Sequence, residues 1–175
     1  MERTFHLPKW TERSFSFGFA IDFIPFLVER LSATGPRLAE IIASASEDQL
    51  AYRPNGKWSA KEHIGHLSDL EDLHIGRLGD FRNRSEGLHA ADMANRRTEE
   101  AAHNTTDTTT LLLRFRASRK SFLEKLQTLD EASLQHRSLH PRLQVMINVA
   151  DMLYFMAEHD THHLTIMTRQ LPPGI

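Results

Sequence analysis

The sequence predicts an all-α protein, a four-helix bundle with a long crossover between helices two and three. Three observations carry this reading. Four segments repeat apolar residues at spacings of three and four, and no segment alternates convincingly as a strand. Between the middle two helices, residues 85–106 are polar and Ala-rich without a clean period. At 175 residues the chain reads as a single domain, with an N-terminal aromatic arm over 1–22 and the bundle over 23–175.

The arm holds Phe5, Trp10, Phe15, Phe17 and Phe19 among polar residues, with no helical period. These aromatics are expected to pack on the domain or on a neighbouring subunit. Five exceed what a solvated tail needs, which predicts a homodimer. From Phe23 to about Ala45 the pattern turns helical through Phe26, Leu27, Leu31, Leu38, Ile41 and Ile42. The "TGP" at 34–36 leaves two possibilities: one kinked helix, or a short helix followed by one opened by Pro36. "RPNGKW" at 53–58 is a loop by its Pro, Asn and Gly.

Ser59 stands three residues before Glu62, the spacing of a capping box, and opens a second helix to about Arg84. Helix three, about 107–129, carries Leu112, Phe115, Phe122, Leu126 and Leu129 on one stripe. A loop with "HPRL" at 140–143 follows. Helix four starts at Asn148, with Asp151 three positions on, and ends before "PPG" at 172–174. Neighbouring helices are expected to run antiparallel.

The charge balance of 21 basic against 23 acidic residues argues against nucleic acid or an anionic membrane as partner. No apolar run approaches a membrane span, and residues 1–17 have no signal-peptide core, so a cytoplasmic protein is the expectation. The chain has no Cys, which excludes disulfides, a cysteine-rich zinc site and a cysteine nucleophile. Any thiol chemistry must import its thiol.

The most chemically loaded stretch is "AEHDTHHLTI", 157–166, in helix four. His159 and His163 lie at i and i+4 on a stripe with Val149, Met152, Met156 and Ile166, so both rings face the core. His162 lies about 60° or more to the side and is expected to point away. Two buried imidazoles need partners. Either each bonds a carbonyl or water and fills space, or the pair ligates a metal. A third ligand would come from "WSAKEHIGHLSDLE" on helix two, which offers His63 and His66, with His74 two turns on. By the helical wheel His63 is nearer the centre of the apolar face and His66 lies on its shoulder, so periodicity does not choose between them.

Together these motifs resemble the DinB/YfiT-like superfamily of metal-binding four-helix proteins. Its pattern has a loop reading roughly "P…GKWS", a metal-binding His followed by Leu eight residues after the Trp, and a late H-x-x-x-H pair. Here Pro54, Gly56, Lys57, Trp58 and Ser59 precede His66–Leu67, and His159 and His163 follow, over about residues 24–170. The resemblance implies that His66, His159 and His163 bind a divalent ion, zinc or nickel first, iron or manganese next. It also implies an enzyme that activates a low-molecular-weight thiol for transfer, or water for hydrolysis. The alternative is a non-catalytic metal-binding stress protein.

Residues near such a site have readings of both kinds. Trp58 would form a wall of the pocket, and His103 and Asn104 would reach its open face. Glu62, Asp69 and Asp160 adjoin the candidate ligands and could orient an imidazole, but read more simply as solvated or capping residues. Arg82, Arg84, Arg96 and Arg97 could hold an anionic cosubstrate, but read more simply as solvated.

Overall fold

A computed structural model describes residues 6–171; Phe5 of the arm and the "PPG" stop at 172–174 lie outside the described residues. The four predicted helices are present. Helix α1 spans Ile24–Ile42 and runs unbroken through Pro36, which settles the ambiguity at "TGP". A short helix, α2 (Glu47–Ala51), is capped by Ser46. The Ser59–Glu62 capping box forms as expected and opens α3, Ala60–Asp69. The predicted second helix is two: the Leu70 amide is shared between the His66 and Ser68 carbonyls, and α4 restarts over Glu71–Arg82. That turn sends Glu71 into the core.

The crossover contains one short helix, α5 (Arg96–Glu100). Helix α6 (Thr108–Leu126) is capped by Asp107, and α7 (Glu131–Gln135) by Asp130. The loop around "HPRL" differs from expectation. It is the turn of a hairpin between β1 (Ser138–His140) and β2 (Val145–Ile147), with Gln144 in the left-handed region. Three-residue strands are too short to show alternation. The backbone of the crossover steadies them, through Leu139 N–H donating to the Glu86 carbonyl and Leu88 N–H to that of Leu139. Helix α8, Val149–Gln170, starts at an Asn148–Asp151 capping box.

Helix directions follow from who touches whom. Along α1, Arg30 meets Glu158 and Thr34 meets Asp160, so α1 and α8 run parallel. Ser68 meets Ser118 and Glu71 meets Arg119, so α3–α4 and α6 also run parallel. His63 meets His163 whereas Trp58 meets Gln170, so α3 opposes α8. The expectation of antiparallel neighbours throughout is therefore corrected: two parallel pairs pack against each other in opposite senses. A parallel neighbour cannot be reached by a tight turn, which is why the chain needs the long crossover before α6.

The apolar core is divided in two. One cluster gathers Leu27, Leu31, Phe81, Phe122, Met152 and Met156; the other gathers Leu38, Ile64, Leu67, Phe115, Leu164 and Met167. Between them lies a buried ionic layer at one level of all four helical units. Arg119 on α6 donates to Glu71 at 2.7 Å, to Asp160 at 2.8 Å and to the Leu31 carbonyl at 3.0 Å. Thr34 donates to the same Asp160 oxygen.

Among described arm residues, Trp10, Phe15 and Phe17 pack on Phe155, and Phe19 on Tyr154, all on α8 of the same chain. Arg13 ties the arm down through Glu158 at 2.5 Å. These aromatics are satisfied within the domain and supply no argument for a partner subunit.

Candidate metal centre

The stripe on α8 and the first turns of α3 bring three imidazoles together. One ring nitrogen from each of His66, His159 and His163 lies within 4.8 Å of the others, and no other described His, Asp or Glu completes the cluster. His159 Nε2 and His163 Nε2 are 3.1 Å apart. Two nitrogens bound tetrahedrally to one zinc-like ion sit about 3.3 Å apart, so this pair is already spaced for one. Burial, reinforced by the neighbouring imidazoles, holds the pKa values of His159 and His163 well below the ordinary range. Burial likewise takes His66 down to about 4, against the pull of Asp69. All three rings are neutral at neutral pH, the form that binds a metal.

Hydrogen bonds select the tautomers. The Asp69 carboxylate can only accept, so the Thr98 hydroxyl donates to it at 3.0 Å. Thr98 Oγ1 then accepts from His66 Nδ1 at 3.1 Å, which leaves His66 Nε2 bare toward the cluster. His103 Nε2 donates to the same Asp69 oxygen at 2.9 Å. Burial works against the charge of Asp69, and the bonds from His103 and Thr98 more than offset it, holding the carboxyl below its usual range. On the other side, His163 Nδ1 faces His63 Nδ1 at 2.7 Å; with His163 donating, its Nε2 is bare as well. His63 thus backs a member of the cluster. Gly65 makes room for this relay, because a Cβ there would lie 2.3 Å from the His103 ring.

A family model described as the DinB superfamily matches residues 30–167. The chain belongs to the DinB superfamily. Among solved structures it is similar to YfiT from Bacillus subtilis, described as a probable metal-dependent hydrolase with an unusual four-helix bundle topology. That match has 17% identity and TM-score 0.76, and covers 91% of each chain. It is also similar to a mycothiol-dependent maleylpyruvate isomerase at 10% identity and TM-score 0.65. There it covers 84% of this chain and 60% of the isomerase, so this chain spans well under the isomerase's full length. No curated protein sequence matches. At these identities the structural likenesses establish the fold.

Within this DinB-superfamily fold the other candidates land in varied places. Trp58 does wall the site, its ring 4.7 Å from that of His66 and its indole N–H bonded to Glu99. His162 does not point away from the site. It stays outside the cluster but lies against Trp10 and edge-on to His163, lining the same cavity, because the arm covers the shoulder of α8 where it sits. Asp160 faces the ionic layer instead of His159, and Glu62 pairs with Arg53 as well as capping α3. Neither is solvated. Asn104 accepts from Ser59, and His103 is buried on Gly65, so neither reaches an open face. Arg96 pairs with Asp92, Arg97 with Asp72, and Arg82 bonds Thr128.

Thr98 was invisible in the sequence because the crossover has no period to mark an inward face. Replacing it by Val keeps its shape but removes both bonds, and frees His66 to rotate or change tautomer. Affinity for a divalent ion is expected to fall about 10–100-fold with the fold intact. Competition with a chromophoric chelator measures this; unchanged affinity would remove Thr98 from any orienting role.

The site opens on a cavity of about 420 Å³, walled by Trp10, Trp58, Leu70, Leu73, Phe155 and Met156. Among the described residues no helix is long and apolar enough to cross a membrane.

Proposed function

We propose that this chain is a metal-dependent enzyme in which His66, His159 and His163 hold a divalent ion, zinc or nickel first, that activates a low-molecular-weight thiol for transfer to an electrophile. The observation that carries this reading is the convergence of three neutral imidazoles, without a fourth described ligand, at the wall of a largely apolar cavity. Such an ion, when bound, keeps its charge and open positions, deprotonates a coordinated thiol and polarises an electrophile.

The chain's own residues do the rest. Thr98 and His63 keep His66 and His163 in the ligating tautomer. Trp10 and Trp58 enclose the reactants and restrict water, while the apolar wall takes the body of the electrophile. The acid that lines the cavity beyond the relay, Asp92, is engaged by Arg96 and two backbone N–H groups. No free carboxylate among the described lining residues offers itself as a general base. An ion held there would acidify a coordinated thiol or a coordinated water alike, with the proton released to solvent, so neither reaction would require one. The mycothiol dependence of the structurally similar isomerase supports the thiol reading, and the description of YfiT supports the hydrolytic alternative.

Metal content by mass spectrometry tests the site. His66→Ala, His159→Ala and His163→Ala should each lose the ion, and His162→Ala should retain it. Full metal in His66→Ala with loss in His63→Ala would overturn the choice on α3. The loaded protein is then assayed with mycothiol- and bacillithiol-type thiols against an electrophile panel, and without thiol against esters and amides. Turnover only in the second assay would replace the transferase reading with the hydrolase.

A further inference from the structure

The end of the cavity formed by Arg77 on α4 and by the β1–β2 hairpin collects cationic and donor groups, while Asp92, the acid that lines the same cavity, is engaged by Arg96. Arg77 is 3% exposed and His140 is 2% exposed. Arg142 follows His140 by two residues, and all three line the cavity that also contains His159. Among the described residues neither arginine forms a salt bridge. Arg77 donates through Nε to the His89 carbonyl at 3.0 Å. Its nearest acid, Asp80, is occupied by the amide and ring of His89, both at 2.7 Å.

His140 is the informative member. Its Nδ1 accepts the Leu143 amide at 3.2 Å, so in the neutral ring the proton sits on Nε2. That Nε2 is buried with no partner, as is Nη2 of Arg142. Burial and the two arginines depress His140 to about 4, and burial and Arg142 bring Arg77 down to about 10 against the pull of Asp80, still cationic at neutral pH. Two guanidiniums gathered beside an unpaired N–H in a low-dielectric wall are costly unless something accepts from them. An oxyanion accepts from all three at once. The neighbouring wall is apolar: Leu70, Leu73 and Phe155 line it, and Arg142 itself lies over the Phe155 ring at 5.5 Å.

We propose that Arg77, His140 and Arg142 form a binding subsite for the carboxylate of an organic acid whose apolar body lies along Leu70, Leu73 and Phe155. The subsite requires no ion. It gives the cavity a charge-specific end, so that a bound acid has one orientation relative to the histidine cluster.

Both tryptophans of the chain, Trp10 and Trp58, line this cavity, so intrinsic fluorescence reports its occupancy. Protein freed of metal by chelation is titrated with hexanoate, with hexan-1-ol as the uncharged analogue and with inorganic phosphate as an oxyanion lacking the apolar body. Hexanoate is expected to bind roughly tenfold or more tightly than hexan-1-ol, and Arg142→Met and Arg77→Met each to remove that difference. Phosphate should bind more weakly than hexanoate. Arg142 is only partly buried, so its variant keeps the test standing if Arg77→Met does not fold. Equal binding of acid and alcohol, or hexanoate binding unaffected in Arg142→Met, overturns the subsite. Tighter binding of phosphate overturns the carboxylate assignment. Because no metal is present, these outcomes are independent of the ligand test above.

Discussion

Replacing Arg119 by Met is expected to cost on the order of 3–5 kcal/mol of folding stability, the largest effect of any single side chain outside the apolar core. Arg119 is the one cation of the buried layer, facing both Glu71, which is fully buried, and Asp160. Burial already pushes Glu71 up to about 7, against the pull of Arg119 and with help from the charge of Asp160. Without the guanidinium, two carboxylates and the Leu31 carbonyl lose their donor in a dry interior. Urea unfolding at neutral pH measures the loss. Adding Glu71→Gln and Asp160→Asn should restore part of it, because neutral amides cost less to bury than unpaired charges. A loss below about 1 kcal/mol would show that the layer is hydrated or rearranges, contrary to the geometry.

The metal-free protein is expected to lose several kcal/mol of stability on acidification from about pH 6.5 to 4. His63 and His66 titrate at about 4 when folded, against an ordinary value of 6.5. His74, His159 and His163 are also held well below that value, chiefly by burial. A depressed folded pKa means that the unfolded chain binds the proton first. The stability is therefore complete above about 6.5 and falls as pH drops toward the folded values. Glu71 works in the opposite sense: its pKa is raised, so its contribution grows as pH falls from about 7 to 4.5. His140 and His162 are depressed as well, so one raised carboxyl does not reverse the trend. Urea midpoints across this range should decline steadily, and a flat or rising profile would contradict the burial of these rings. A bound divalent ion competes with the same protons, so the loaded protein should show a steeper decline.

Helix starts were legible because capping is local chemistry. Ser59 with Glu62 and Asn148 with Asp151 write their boundaries within four residues. The pairing of His159 with His163 was legible for a similar reason, since i and i+4 share a face whatever surrounds them. What long-range packing decides was not. The turn at Leu70 brings Glu71 to Arg119, a residue 48 positions away. His162 lies between Trp10 of the arm and His163, and the arm's place could not be read from helical periodicity. Periodicity put His63 nearer the centre of the apolar face and His66 on its shoulder without choosing between them, both are buried, and family resemblance selected His66. The geometry groups His66 with the α8 pair and sets His63 behind His163. Arg77 and Arg142 escaped notice because their significance lies in forming no salt bridge among the described residues, since Asp80 beside Arg77 is taken by His89, which no motif records.

The parallel pairing of α1 with α8 joins the first and last helices of the bundle, and these helices make the most extensive contact of any two described elements. During synthesis α1 emerges before the other bundle helices, yet its partner α8 is the last of them. The α3–α4 and α6 pair, closer in sequence, can associate while α1 is still waiting. His66 belongs to that early half, and His159 and His163 to the segment that closes the bundle. Assembly of the three-histidine cluster and docking of the first helix are thus the same late event, so a nascent or truncated chain lacking α8 has neither a finished core nor a site able to capture an ion with three imidazoles.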